Sequence, residues 1–230
     1  MQNPWLDLPM TAPFVLKDDS EEVAKFNADA LEEHRLRLNA FPGPFMGNPN
    51  APVVLLNLNP GFTETETESD VVTNIDWMWR NIKAIRHEEM DYPFFLLHPE
   101  LEKISAGYQW WYKRLRTLIE HYDARFVANN ILNVAFFPYP SKKATWFHYE
   151  LKLPSQKYGL YLVEQAMARE AVIIALRAVP TWKWAIPGLE KYERFYKLNS
   201  ISVYVTPRNC PTGYPEIIKV LDAIRQRVNL

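Results

Sequence analysis

The chain reads as an α/β protein, a three-layer α/β/α domain built around a central four-stranded parallel sheet. Three observations lead there. Short apolar runs rich in β-branched residues alternate along the chain with helical stretches, the pattern of a parallel sheet covered on both faces. Those runs are apolar at nearly every position, as expected of strands buried on both sides. Hydrophobic residues make up 48% of the 230 residues and charged ones 23%, enough for one sizeable core, so residues 1–230 read as a single domain.

Residues 1–18 are Pro-rich and aperiodic and read as an arm over the surface. Asp19 with Glu22 three residues on has the form of a capping box, and Val23, Phe26 and Ala30 give the following helix one apolar face. This helix is expected to end near Phe41, before Pro42-Gly43-Pro44, so arm and helix together take residues 1–41. The first strand is read at 53–58, bounded by Pro52 and by Pro60-Gly61. Helices follow at about 71–86 and 107–121, the second carrying Trp110, Trp111, Leu115 and Leu118 at helical spacing, where Trp110-Trp111 read as core. A second strand is expected at 131–136, closed by Pro138 and Pro140. Ser155 starts a helix with Leu160, Val163, Ala166 and Met167 at its inner positions. Strands are then read at 171–176 and 201–205, and a last amphipathic helix from about Tyr214, with Ile217, Val220, Leu221 and Ile224 facing inward.

The net charge is −1, so no whole-protein field draws this chain to nucleic acid or membrane, and such binding needs a local patch. One cysteine, Cys210, builds no disulfide framework, zinc Cys cluster or Cys-ligated iron–sulfur cluster. The histidines, at 34, 87, 98, 121 and 148, have no metal-ligand spacing, and His148, in the long loop after Phe137, reads as a surface or packing residue, with reach to the expected site as the alternative. The first residues lack the basic start and apolar run of a signal peptide, and no apolar stretch is long enough to span a bilayer, so a cytoplasmic location is expected, with no membrane partner.

In open parallel sheets, ligands bind beyond the carboxyl ends of the strands. That rule selects 59–62, 136–143 and 206–213. Asn57-Leu58-Asn59-Pro60-Gly61 is the sharpest feature. Alone, Asn-Pro-Gly is a tight strand-to-loop turn. Asn133, inside the second strand, alone reads as a buried amide satisfied by backbone. Thr206-Pro207-Arg208-Asn209 alone reads as a strand-to-helix loop.

Taken together and in order, these pieces resemble the uracil-DNA glycosylase superfamily, in the branches whose first motif is Gly-x-Asn-Pro-Gly: the mismatch-specific and single-strand-selective enzymes. Asn59, Pro60 and Gly61 match, and Asn57 stands for the motif's first Gly. Asn133 falls where the superfamily carries a strand-borne Asn that reads the extruded base. Thr206, Pro207, Arg208 and Asn209 fit the last motif, with Tyr204 in the place of its His and Val205 in that of its first Pro. Mismatch-specific members also lack that His. The resemblance covers about residues 42–225.

It implies a strand order of 2-1-3-4 and hydrolysis of the N-glycosidic bond of uracil or a related damaged base. Asn59 would orient the attacking water, with Thr206 beside it in the catalytic set. Asn133 would select the base, since a side-chain amide accepts from uracil N3–H and donates to O4. Phe62, Phe94 or Phe137 would stack on it. Asn57, Pro60, Gly61 and Asn209 complete the binding set, and Arg208 would contact phosphate. No metal or organic cofactor is implied. The partner would be DNA, single-stranded or mismatched, or a small molecule containing a nucleobase. A non-catalytic or divergent member that binds a nucleobase, nucleotide or nucleic acid is the alternative. Glu64, Glu66, Glu68 and Asp70, directly after the first motif, read as a solvated loop, as a source of a general base, or as a sign that the substrate is a free nucleotide or nucleoside. Lys142, Lys143, Lys152 and Lys157 are the other basic residues near the expected site, read as solvated.

Overall fold

A computed structural model describes residues 1–62 and 75–228. The acidic stretch with Glu64, Glu66, Glu68 and Asp70 and the start of the helix expected from residue 71 lie outside the described residues. The strands are β1 (Phe45–Gly47), β2 (Val53–Asn57), β3 (Ile131–Ala135), β4 (Val172–Ala175) and β5 (Phe195–Lys197). The helices are α1 (Ser20–Asp29), α2 (Ile75–Ile85), α3 (Ala106–Tyr122), α4 (Ala124–Asn130), α5 (Gln156–Ala168), α6 (Val179–Ala185) and α7 (Gly213–Val228).

The fold is α/β, and its sheet is five-stranded and mixed, in the order β1-β3-β2-β4-β5. β2, β3, β4 and β5 pair in parallel, while β1 adds an antiparallel edge beside β3. This corrects the expected four-stranded, all-parallel sheet. β1 is only Phe-Met-Gly, too short to carry a period. Its last residue, Gly47, has φ +115, and a Cβ there would collide with the carbonyl of Ile131, so glycine lets the edge strand close on β3.

The three central strands are the apolar runs themselves. Every residue of β2, β3 and β4 is buried. With period two, Val54, Leu56, Leu132, Val134, Ile173 and Ala175 face one cluster, shared with Leu162, Val163 and Ala166 of α5, Trp182 of α6, and Trp5, Phe14 and Leu16 of the arm. Val53, Leu55, Ile131, Val172 and Ile174 face the other, shared with Trp111, Leu115 and Leu118 of α3, Val127 of α4, and Ile217 and Leu221 of α7. Helices thus cover both faces. No described helix is long and apolar enough to cross a membrane.

Four local expectations are corrected. The strand expected at 201–205 is a loop: Ile201 is 92% exposed, and β5 lies earlier, at Phe195–Lys197. Its alternation of buried Val203 and Val205 with exposed Ser202 and Tyr204 mimics a strand, but its backbone is held by other means. Asn209 Nδ2 donates to the carbonyls of Ser202 (2.7 Å) and Tyr204 (2.9 Å), and Val205 N donates to Arg114 O at 2.9 Å. The first helix ends at Asp29 rather than near Phe41, because the Asn27 side chain exchanges two hydrogen bonds with the backbone of Leu36 and turns the chain back. Asp19 makes no cap bond. It is fully buried and accepts from Tyr139 Oη at 2.7 Å and from Ser155 N at 3.1 Å. The arm is part of the core, since Trp5, Phe14 and Leu16 are buried.

Candidate functional site

β2 and β3 end side by side, and their loops leave together. Asn57 closes β2 opposite Ala135. Its carbonyl accepts from Phe136 N at 3.0 Å and from Trp182 Nε1 at 3.1 Å, and its side-chain oxygen accepts from Leu58 N at 3.0 Å. The strand exit is therefore fixed by a doubly used carbonyl and by the Asn57 side chain's bond to the next backbone N–H. Beyond it, Gly61 forms an isolated parallel bridge with Ser141, which joins the first two loops the sequence singles out.

Asn59 sits at this junction. Its amide nitrogen donates to Pro60 O at 3.0 Å and to Ser141 Oγ at 3.3 Å. Ser141 Oγ lies 2.9 Å from His148 Nε2 and donates to Lys143 O at 3.2 Å. His148 Nδ1 accepts from Thr145 N at 3.1 Å, so the proton of the neutral ring sits on Nε2 and points at Ser141. Burial pushes the His148 pKa down to about 4, which keeps the ring neutral. Ser141 thus accepts from both Asn59 and His148 and spends its own proton on a carbonyl. His148 is a donor here, not a base, so this is not a Ser–His nucleophile. What the arrangement does is lock the Asn59 amide. Both of its N–H groups are used, and among the described residues no donor reaches its Oδ1, which is left as an acceptor.

Asn133 stands deeper, between Met46 of β1 and Leu55 of β2 in register. By strand period it shares a face with Ile131, as Asn57 shares one with Leu55, so both amides lie on the α3 side of the sheet. Asn133 is 7% exposed, and its Oδ1 is buried with no donor among the described residues. Such an oxygen costs about 1–3 kcal/mol, and native interiors contain few of them.

The three candidate rings are separated. Phe94 belongs to the cluster on the α3 side, fully buried and edge-on to Trp111 at 4.9 Å. Phe137 lies in the opposite cluster, against His148 at 4.7 Å. Phe62 lies outside both, under the Arg37 guanidinium at 5.4 Å. Only Phe94 shares the side of Asn133.

The third loop organises itself around Asn209, whose side chain holds Ser200 N as well as the two carbonyls above. Thr206 Oγ1 receives Asn209 N at 3.3 Å. Arg208 is exposed. Of the lysines, Lys143 is tied to Glu33 at 2.8 Å and Lys152 lies 3.5 Å from Glu150. Cys210 is buried, and burial pushes its thiol up, away from the reactive thiolate.

Sequence reasoning missed Ser141, and it gave His148 a reach to the site only as the alternative to a surface or packing role. The Thr145-Trp146-Phe147-His148 spacing, a capping box with His in place of Glu, was the available signal.

Comparison of the chain with protein-family models, with curated proteins and with solved structures finds no match. The fold and the site therefore define a class only: an α/β protein with a mixed five-stranded sheet, a locked amide at the exit of β2 and, on β3, an amide whose oxygen meets no donor among the described residues.

Proposed function

We propose that the carboxyl end of the sheet, on its α3 side, receives a nucleobase in the manner of the uracil-DNA glycosylase superfamily, and that the reaction is hydrolysis of an N-glycosidic bond. The observation that carries this reading is the buried Oδ1 of Asn133, which meets no donor among the described residues. A stability cost of this kind is retained where a ligand repays it. Uracil supplies the missing donor through N3–H, and cytosine, whose N3 is an acceptor, does not. Phe94 supports the base as a ring wall on the same side.

Asn59 takes the water. With its amide nitrogen clamped by Pro60 O and Ser141, its Oδ1, which meets no donor among the described residues, accepts a hydrogen bond from the attacking water, whose proton is the one the departing base takes up, and it faces the developing positive charge of the sugar. Thr206 and Asn209 shape the loop that presents Arg208 to phosphate. Hydrolysis places water oxygen on C1′ and the bonding electrons on the departing base, which then takes up a proton.

Tyr204 favours a second reading, binding without hydrolysis. It stands where the superfamily's last motif has a His, and its ring faces Arg114. The test is base release from labelled oligonucleotides carrying uracil opposite G, opposite A and in single strand, with alkali revealing abasic sites. Release that disappears in Asn59→Ala supports hydrolysis. Absence of release on all three substrates, with folded protein, rejects it and leaves binding.

A further inference from the structure

Two arginines at the rim of the sheet reach no carboxylate among the described residues. Arg114, on α3, lies over the Trp110 ring at 4.2 Å and faces the Tyr204 ring at 5.2 Å. Its Nη1 donates to Trp110 O at 3.2 Å, while its Nε is buried and has no acceptor. Its carbonyl holds Val205 N at 2.9 Å, which ties the Tyr204 loop to the helix. Arg177 follows Leu176 at the exit of β4. It is exposed, and its backbone N donates to Leu56 O at 3.4 Å, beside Asn57. Burial pulls the Arg114 guanidinium down from its ordinary pKa, and the charge of Arg177 pulls it down further against the opposing influence of Tyr204.

Like charges gathered without a counter-charge are unfavourable. Arg80, Arg116, Arg125 and Arg194 all reach carboxylates. At the rim, the Trp110 and Tyr204 rings hold one guanidinium with an unused N–H, and a second guanidinium stands at the neighbouring strand exit. A planar fork of donors suits a tetrahedral oxyanion.

We propose that Arg114 and Arg177 together form a receptor for a phosphate ester, carried by a mononucleotide or by a nucleic-acid backbone. The inference rests on the nucleobase reading for what is esterified, and on the two arginines alone for the anion. Trp110 and Tyr204 position the Arg114 fork, and Arg177 closes on the phosphate from the β4 side.

The test is titration of the intact chain at low salt with inorganic phosphate, deoxyuridine, deoxyuridine monophosphate and a short single-stranded oligonucleotide. The 15N–1H resonance of Arg114 Nε is followed beside the equilibrium affinities. Phosphate-bearing probes are expected to move that resonance and, where deoxyuridine binds, to bind about tenfold more tightly than it does. Arg177→Gln, at an exposed site, is expected to lose about that factor for every phosphate probe and none for deoxyuridine. Arg114→Lys keeps the charge, loses the fork and is expected to weaken the same probes. Tighter binding of the oligonucleotide than of the monophosphate assigns the ester to a polymer, and the reverse assigns it to a nucleotide. If deoxyuridine fails to bind while inorganic phosphate still shifts Arg114 Nε in an Arg177-dependent way, the receptor stands and the nucleobase reading falls. A phosphate that leaves the resonance unmoved, or affinities unchanged in both variants, overturns the proposal.

Discussion

Replacing Asn133 by a hydrocarbon should make this protein more stable. In the unliganded fold, Asn133 Oδ1 is buried without a donor, on a strand flanked by Met46 and Leu55. Leaving such an oxygen unpaired costs about 1–3 kcal/mol, and exchanging it for carbon of similar shape removes that cost. The cluster it faces is otherwise built from Leu55, Ile131, Phe94 and Trp111. Asn133→Leu is similar in outline but slightly larger, and overpacking can take back part of the gain. Asn133→Val, β-branched and smaller, brackets that effect. The more favourable of the two is expected to gain about 1–3 kcal/mol, a rise in Tm of about 2–4 °C per kcal/mol for a chain of this size. Urea unfolding monitored by tryptophan fluorescence measures it as a higher midpoint at unchanged m. If both variants match or fall below the parent, the oxygen is satisfied in the folded state, and the argument that a ligand repays it fails.

Acid titration tests the locked neutral state of His148. Its folded pKa, near 4, lies below the ordinary 6.5, so the unfolded chain binds more protons between those values and stability falls as pH drops through that window. The loss approaches roughly 3 kcal/mol at most, and His87, also pushed to about 4 by burial, works in the same direction. Asp19 opposes them, because burial raises its carboxyl and the folded state keeps that proton more tightly. His148→Gln, which can still donate to Ser141, should flatten the slope of unfolding free energy against pH over this range; an unchanged slope would show that His148 carries no such shift. Tyr139→Phe removes the 2.7 Å bond to Asp19 and the acceptor of Leu16 N. It is expected to cost about 3 kcal/mol by urea unfolding, and a loss below about 1 kcal/mol would mean that this buried node contributes little.

The three central strands were legible because they are apolar at nearly every position, and period and length then leave little choice. What the sequence concealed lies where side chains replace backbone partners. Asn209 holds the 201–205 segment with its own amide, so a stretch with a strand's alternation is a loop. Asn27 does the same for Leu36 and ends α1 early. β1 was hidden by its brevity, and only Gly47, at positive φ, marks it. In the candidate site, Asn59 and Asn133 were visible as polar residues in or beside apolar strands. Ser141 was not, and His148 was read first as a surface or packing residue, because the contact that unites them with Asn59 spans more than eighty residues of chain. Arg114 and Arg177 were also hidden, since nothing in a sequence shows that an arginine lacks a carboxylate.

The most direct test of the nucleobase reading is the side-chain amide resonance of Asn133. In the 15N–1H spectrum of the intact protein, deoxyuridine is expected to shift it in a saturable way and deoxycytidine to leave it in place, with the deoxyuridine response abolished in Asn133→Ala. Equal shifts with both nucleosides, or with neither, would contradict the claim that this buried oxygen awaits the N3–H of a base.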